Sequence, residues 1–127
     1  MIISKYCLRD TNKLFQMMKN EGTEWQTYYS EPTCNKYKEV LEQSITYLLF
    51  DDEIVCGYIR CRRDGDFGLY ILDLLVDKEY RGQRLGKQLI DKVAEDYPDD
   101  IVYVTSDADP YYEKQGFVKV GSVLCLK

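Results

Sequence analysis

The chain of 127 residues contains no histidine. That absence removes the side chain that most often serves as a general base near neutral pH, and the commonest metal ligand with it. Acid–base chemistry therefore falls to Asp, Glu, Tyr, Lys, Cys or water, and no metal is expected. No apolar run reaches membrane-spanning length. The amino terminus, Met1-Ile2-Ile3-Ser4-Lys5-Tyr6, has no basic region leading into an apolar stretch, so it reads as a strand and not as a secretion signal. These absences predict a cytoplasmic protein with no membrane partner. Excess positive charge is missing too: the formal net charge is −5, which disfavours sequence-independent nucleic-acid binding. The five cysteines, Cys7, Cys34, Cys56, Cys61 and Cys125, are odd in number and form no Cys-x-x-Cys. They suggest neither a disulfide framework nor a zinc site, and read as small apolar residues in a reducing compartment.

What is there is globular. Hydrophobic residues make up 45% of the chain and charged residues 31%, enough to bury a core, and the length fits one domain over residues 1–127. No repeat, low-complexity tract or linker divides it. Ile2 to Cys7 reads as a first strand. Asp10 is placed to cap a helix from Thr11 to Asn20, with Gly22 as its stop. Thr23 to Pro32 reads as a loop, and a second helix runs from about Asn35 to Gln43. Strands follow at Ile45 to Phe50, Ile54 to Arg63 and Phe67 to Val76, with turns at Asp51-Asp52 and Asp64-Gly65. Leu85, Leu89, Ile90, Val93 and Ala94 recur at helical spacing up to Tyr97-Pro98. Ile101 to Thr105 is a short strand, Pro110 opens a last helix that Gly116 ends, and Phe117 to Leu126 reads as one or two closing strands. The order is that of an α/β domain with a mixed sheet of about six strands flanked by about four helices.

The clearest feature is Arg81-Gly82-Gln83-Arg84-Leu85-Gly86-Lys87, which follows a strand and opens an amphipathic helix. A helix amino terminus presents unpaired N–H groups and a positive dipole end, and binds phosphate on that account. Gly82 and Gly86 let the backbone turn tightly and approach a ligand. Arg81, Arg84 and Lys87 add charge suited to a pyrophosphate. The P-loop spacing is absent, because only three residues separate the glycines and Gln88 follows Lys87. The three-glycine dinucleotide fingerprint is absent as well. On pattern alone, a basic helix start without a ligand stays open as the other reading.

At these residues the sequence resembles the GNAT superfamily of acetyl-CoA-dependent N-acetyltransferases. The family carries Arg or Gln, two residues, Gly, one residue, then Gly or Ala at the start of its central helix. Arg81 matches the first position and Gly86 the last, while Arg84 stands where the middle glycine is usual. Downstream, Tyr112-Glu113-Lys114-Gln115-Gly116-Phe117 resembles the family's Tyr-Glu-Lys-x-Gly-Phe segment. Resemblance is good from about Ile45 to Phe117, and the first forty or so residues match only in element order.

The resemblance implies a GNAT-like fold with acetyl-CoA, as co-substrate, in a V-shaped gap between two splayed parallel strands, here Phe67–Val76 and Ile101–Thr105. It implies that the backbone of Leu74, Leu75 and Val76 holds the pantetheine arm, and that the amides of Gln83, Arg84, Leu85, Gly86 and Lys87 hold the pyrophosphate. The reaction would be direct attack of a primary amine on the thioester, with an N–H near Leu75 as oxyanion donor. Tyr112 matches the family's tyrosine and is the candidate acid for the departing thiolate; an ordinary tyrosine pKa of about 10 keeps it protonated. Asp73, ionisable within an apolar strand, is the candidate base. A structural ion pair with Arg60 or Arg62 is the competing reading, and water or a backbone carbonyl also remains open as the base. A Cys61 or Cys125 nucleophile is disfavoured, since no histidine activates either.

The acceptor would be chosen by the amino-terminal helices and their loop. Glu21, Glu24 and Glu31 lie there among Trp25, Tyr28 and Tyr29, a mixture that suits a cationic amine and equally describes a solvated loop. A small amine or amino-acid-like acceptor is expected. A homodimer is expected by analogy alone. A non-catalytic acyl-CoA sensor or regulatory module stands as the alternative to an enzyme.

Overall fold

The computed structural model describes residues 1–127. Five strands form one sheet in sequence order: β1 (Ile2–Lys5), β2 (Ile45–Asp51), β3 (Ile54–Arg63), β4 (Leu69–Val76) and β5 (Val102–Val104). The first four pair antiparallel, and β5 joins β4 in parallel. The crossover between β4 and β5 is the longest helix, α4 (Leu85–Asp96). A parallel pair needs such a crossover, because no tight turn can return a strand in the same direction.

Side-chain alternation splits the core between the two faces of the sheet. Leu48, Val55, Tyr58 and Leu75 point toward α1 (Thr11–Glu21) and α3 (Cys34–Gln43), meeting Leu14, Met18, Tyr37 and Leu41. Tyr47, Leu49, Ile59, Leu69 and Ile71 point the other way, onto Leu85, Leu89, Ile90 and Val93 of α4. Gly57 on β3 lets α4 come close: a Cβ there would sit 3.3 Å from a Leu89 methyl.

One irregularity governs the site. Opposite the consecutive residues Arg60 and Cys61 of β3 stand Asp73 and Ile71 of β4, so Leu72 is an extra residue, a β-bulge. It inverts the alternation. Leu69 and Ile71 face α4, whereas beyond the bulge Leu75 belongs to the opposite core and Leu74 and Val76 pack toward α4. Pairing with β5 ends at the same point, at Ile71 with Val104 and the Thr105 N–H donating to the Ile71 carbonyl. From Leu72 to Val76 the β5 side of β4 has no strand partner.

Four boundaries differ from expectation. Thr23 to Pro32 is not all loop: a 3-10 turn at Thr23–Trp25 leads into α2 (Gln26–Tyr29), ordered by Trp25 against Tyr58 and Tyr28 against Tyr37. Phe67 lies in the β3–β4 turn, 82% exposed, because that turn spans Asp64 to Gly68 and delays β4 to Leu69. Asp10 holds the α1 N-cap position but makes no capping bond with its side chain; the Thr11 hydroxyl donates to the Leu8 carbonyl there instead. Phe117 to Leu126 forms no strand, so the sheet has five members. Its backbone makes no bond to β5, and an open trough of about 690 Å³ separates the two. α5 (Asp109–Glu113) opens with Pro110 in its first turn, as expected, and Gly116 follows it at a φ of 96°.

Candidate active site

The turn that enters α4 is braced from below. The Asp77 carboxylate accepts from the Glu79 N–H, and the Tyr80 hydroxyl donates to Asp51. Gly82 takes a φ of 85°, where glycine is at ease. Arg84 takes φ 59° and ψ 28°, the left-handed region that disfavours a side chain. The turn needs a left-handed residue directly before the helix, and Arg84 adopts that conformation where the pattern it resembles carries glycine. The N–H groups of Gln83, Arg84, Leu85, Gly86 and Lys87 have no acceptor in the protein. Gly86 is packed closely, since a Cβ there would land on the Tyr111 hydroxyl.

These features fit a CoA-type co-substrate. Five free amides and a helix dipole converge where a pyrophosphate would lie, and the unpaired side of Leu72–Val76 leads up to them. The charges are shared unequally. Arg81 is tied to Glu21 at 2.5 Å and donates to the Val76 carbonyl, and Lys87 pairs with Asp91 at 2.7 Å. Arg84 alone of the three has no partner within the protein.

Tyr112 projects from α5 between two cavities, the trough beside β5 and a second cavity of about 610 Å³. Its ring packs edge-on against Phe117 and Tyr111, and its hydroxyl has no hydrogen-bond partner in the protein. Burial, aided by Tyr111 and the charge of Asp107, pushes its pKa up to about 12. It therefore holds its proton throughout the neutral range.

Asp73 forms the ion pair expected of the competing reading, and Arg60 is its partner. Arg60 Nε donates to Oδ2 at 2.6 Å, and the Tyr37 hydroxyl donates to the same oxygen at 2.8 Å. Tyr37 is joined in turn to Tyr58 at 2.9 Å. Burial and the neighbouring Asp73 charge hold the Tyr37 hydroxyl far above its ordinary pKa, so it gives its one proton to Asp73 as a neutral phenol and accepts from Tyr58. The other carboxylate oxygen, Oδ1, has no partner, yet it is not among the buried unsatisfied atoms; it touches solvent. Asp73 lines the second cavity together with Tyr112. The bulge at Leu72 is what turns this carboxylate away from α4 and toward α3.

Of the acceptor-side residues singled out in the sequence, Glu24, Trp25 and Tyr28 line the second cavity. Glu21 is committed to Arg81, and Glu31 and Tyr29 lie elsewhere. Sequence reasoning missed Asp107, which also lines this cavity. Its one signal is position, in the loop past the carboxyl end of a parallel strand, where α/β proteins gather ligand-binding groups. It also missed Tyr37 and Tyr58 as polar partners, because one lies in a helix and the other in a strand and nothing in the sequence marks their hydroxyls as meeting. Cys61 is fully buried and burial pushes its thiol up to about 12, which removes it as a nucleophile; Cys125 is exposed in the tail.

A mixed sheet whose parallel strands part above a helix start rich in free amides suits an acyl-CoA-type co-substrate. The model of the acetyltransferase (GNAT) domain family matches residues 14–126, and the chain belongs to that family, as a GNAT-type N-acetyltransferase. Solved structures agree on the fold. A GNAT-family acetyltransferase from Streptococcus pneumoniae TIGR4 is similar at 18% identity and a TM-score of 0.74, over 98% of this chain and 95% of that one. An acetyltransferase from Thermus thermophilus has 18% identity and a TM-score of 0.77, over 94% and 87%. An aminoglycoside 6'-N-acetyltransferase complexed with coenzyme A has 18% identity and a TM-score of 0.67, over 91% and 73%. No curated protein sequence matches the chain. No helix is long and apolar enough to cross a membrane.

Proposed function

We propose that the protein moves an acetyl group from acetyl-CoA to a primary amine by direct attack in a ternary complex. The observation that carries this reading is the position of Tyr112: a protonated, unpartnered hydroxyl on a cavity that it lines together with acidic and aromatic groups and with Leu72 to Leu74 of the unpaired run of β4. The amides of Gln83 to Lys87, with Arg84, hold the pyrophosphate, and the backbone of Leu74, Leu75 and Val76 holds the pantetheine arm. In the transfer, a bond forms between the amine nitrogen and the acyl carbon, and the carbon–sulfur bond breaks. Tyr112 gives its proton to the departing sulfur and recovers one from solvent. An N–H near Leu75 stabilises the oxyanion.

The proton on the amine goes to water. Asp73 is the weaker base candidate, because one of its oxygens already receives two donors. It serves the reaction better as a fixed oxygen that receives a hydrogen bond from the acceptor.

The test follows free thiol while protein and acetyl-CoA are mixed with a panel of amines. Thiol release with at least one amine is expected. Tight CoA binding without release for any amine would instead support a sensor. In Tyr112→Phe, kcat is expected to fall about 10²-fold, the lower end for general acid catalysis, with CoA affinity retained. Unchanged kcat would remove Tyr112 from the acid role.

A further inference from the structure

The second cavity holds three carboxylates, Glu24, Asp73 and Asp107, two aromatic rings, Trp25 and Tyr28, and the hydroxyl of Tyr112. No Lys or Arg lines it. The cation nearest in the network, Arg60, stands behind Asp73 and binds only Oδ2. Asp73 is nine-tenths buried by its side chain, and its Oδ1 is unpartnered. Its open oxygen presents a fixed acceptor to the cavity, while Arg60 offsets most of its charge, so Glu24 and Asp107 supply the net negative charge there. Burial and the Asp73 charge hold the Tyr28 phenol protonated, so its ring keeps a neutral face for a cation.

This negative cavity poses a chemical question. An attacking amine must be neutral, since an ammonium has no lone pair. A substrate with a single amino group gives up its full charge before it attacks and regains charge only at the reacting nitrogen as the new bond forms, so carboxylates spread along the cavity away from that atom gain little from it in the transition state. Interactions raise kcat/KM only when they persist there. The cavity makes sense for an acceptor that keeps a positive charge while another nitrogen reacts.

We propose that the acceptor is a polycationic amine, in which one nitrogen attacks beside Tyr112 while a second ammonium is held by Asp73 Oδ1, Glu24 and Asp107 against the faces of Trp25 and Tyr28. This deepens the acetyl-transfer reading and rests on it. An amino acid, with a carboxylate near its amine, is disfavoured by the same charges.

The test compares initial rates of thiol release for cadaverine and pentylamine, matched in length, with 5-aminopentanoate as the anionic counterpart. Cadaverine is expected to exceed pentylamine in kcat/KM by about tenfold at low salt, well above the twofold that two equivalent nitrogens give by statistics, and the anion to be poorest. The advantage should shrink as salt is added. In the double variant Glu24→Gln, Asp107→Asn, both exposed positions that fold tolerates, the ratio of cadaverine to pentylamine should fall severalfold. Spermidine serves as a second, longer polycation. Equal rates for cadaverine, spermidine and pentylamine, or a ratio that the double variant leaves unchanged, would overturn the proposal while leaving acetyl transfer intact. Absence of thiol release with every amine would instead sink the transferase reading beneath it.

Discussion

Arg84 offers a perturbation whose two consequences run in opposite directions. Its backbone sits at φ 59° and ψ 28° immediately before α4. The left-handed conformation costs an L-residue roughly 1–2 kcal/mol, which glycine avoids. Arg84→Gly gives back about 0.5–1 kcal/mol of that through the greater freedom of glycine in the unfolded chain. The net expectation is a gain of about 0.5–1 kcal/mol, or a Tm higher by about 2–4 °C for a domain of this size. The guanidinium is the one cation of the turn without a protein partner, so its loss should weaken CoA binding about three- to fivefold at low salt, in the range of an exposed charge pair. Arg84→Gln separates the two effects, since it removes the charge and keeps the strain. Thermal unfolding and calorimetric titration with CoA measure both. A glycine variant no more stable than the glutamine variant would refute the strain argument, and unaltered CoA affinity in both would show that Arg84 does not face the pyrophosphate.

Two further outcomes can be measured with the same protein. Gly86→Asp should abolish CoA binding in titration while the protein stays folded: its side chain meets the free end of Tyr111, which can swing aside, and an acid in the first helical turn is favourable to the helix itself. Normal CoA binding by that variant would take the pyrophosphate away from this turn. In the pH profile of kcat/KM, Tyr112 stays protonated until about pH 12, while the acceptor amine becomes more reactive as it loses its proton. The profile should therefore climb with a slope near one from about pH 7 to about pH 9.5 with no falling limb. A falling limb in that range that Tyr112→Phe abolishes would mean that the tyrosine ionises far lower than its burial implies.

Much of this was legible from residues alone, and the exceptions share a cause. β3 and α4 read cleanly because each carries a sustained period that one face of the sheet or one apolar helix stripe must bury. The phosphate turn was legible because glycines and cations cluster between a strand and a helix. What periodicity cannot register is a change of partner. β4 is apolar on both faces, so the bulge at Leu72 leaves no mark in its sequence, and the face on which Asp73 lies was undetermined. The aromatic residues of 23–32 read as loop because nothing in their own sequence places Tyr37 and Tyr58 beneath them. The β-branched Val118, Val120 and Val123 suit a strand, yet a strand exists only against an edge, and this segment stands off β5 with those residues three-quarters or more exposed.

The bulge also carries a sharper consequence. Because Ile71 and Asp73 stand opposite consecutive residues of β3, removing Leu72 would restore an uninterrupted register without moving any other side chain to the wrong face: Leu69 and Ile71 would still meet α4, and Asp73 would still meet Arg60 and Tyr37. A one-residue change normally inverts a strand, but here it would repair one. Bulges bend the strand that holds them and raise its local twist, and pairing between β4 and β5 stops where this one begins. The shortened protein is expected to fold, with circular dichroism like that of the parent and a Tm within about 5 °C, as befits a change well under 2 kcal/mol. Its β4 would run straight and follow β5 further, closing the gap proposed for the pantetheine arm. CoA affinity should then drop by at least about tenfold, or 1.4 kcal/mol. A folded protein lacking Leu72 that binds CoA as tightly as the parent would show that the strands part for some other reason, with the crossover through α4 the next cause to test.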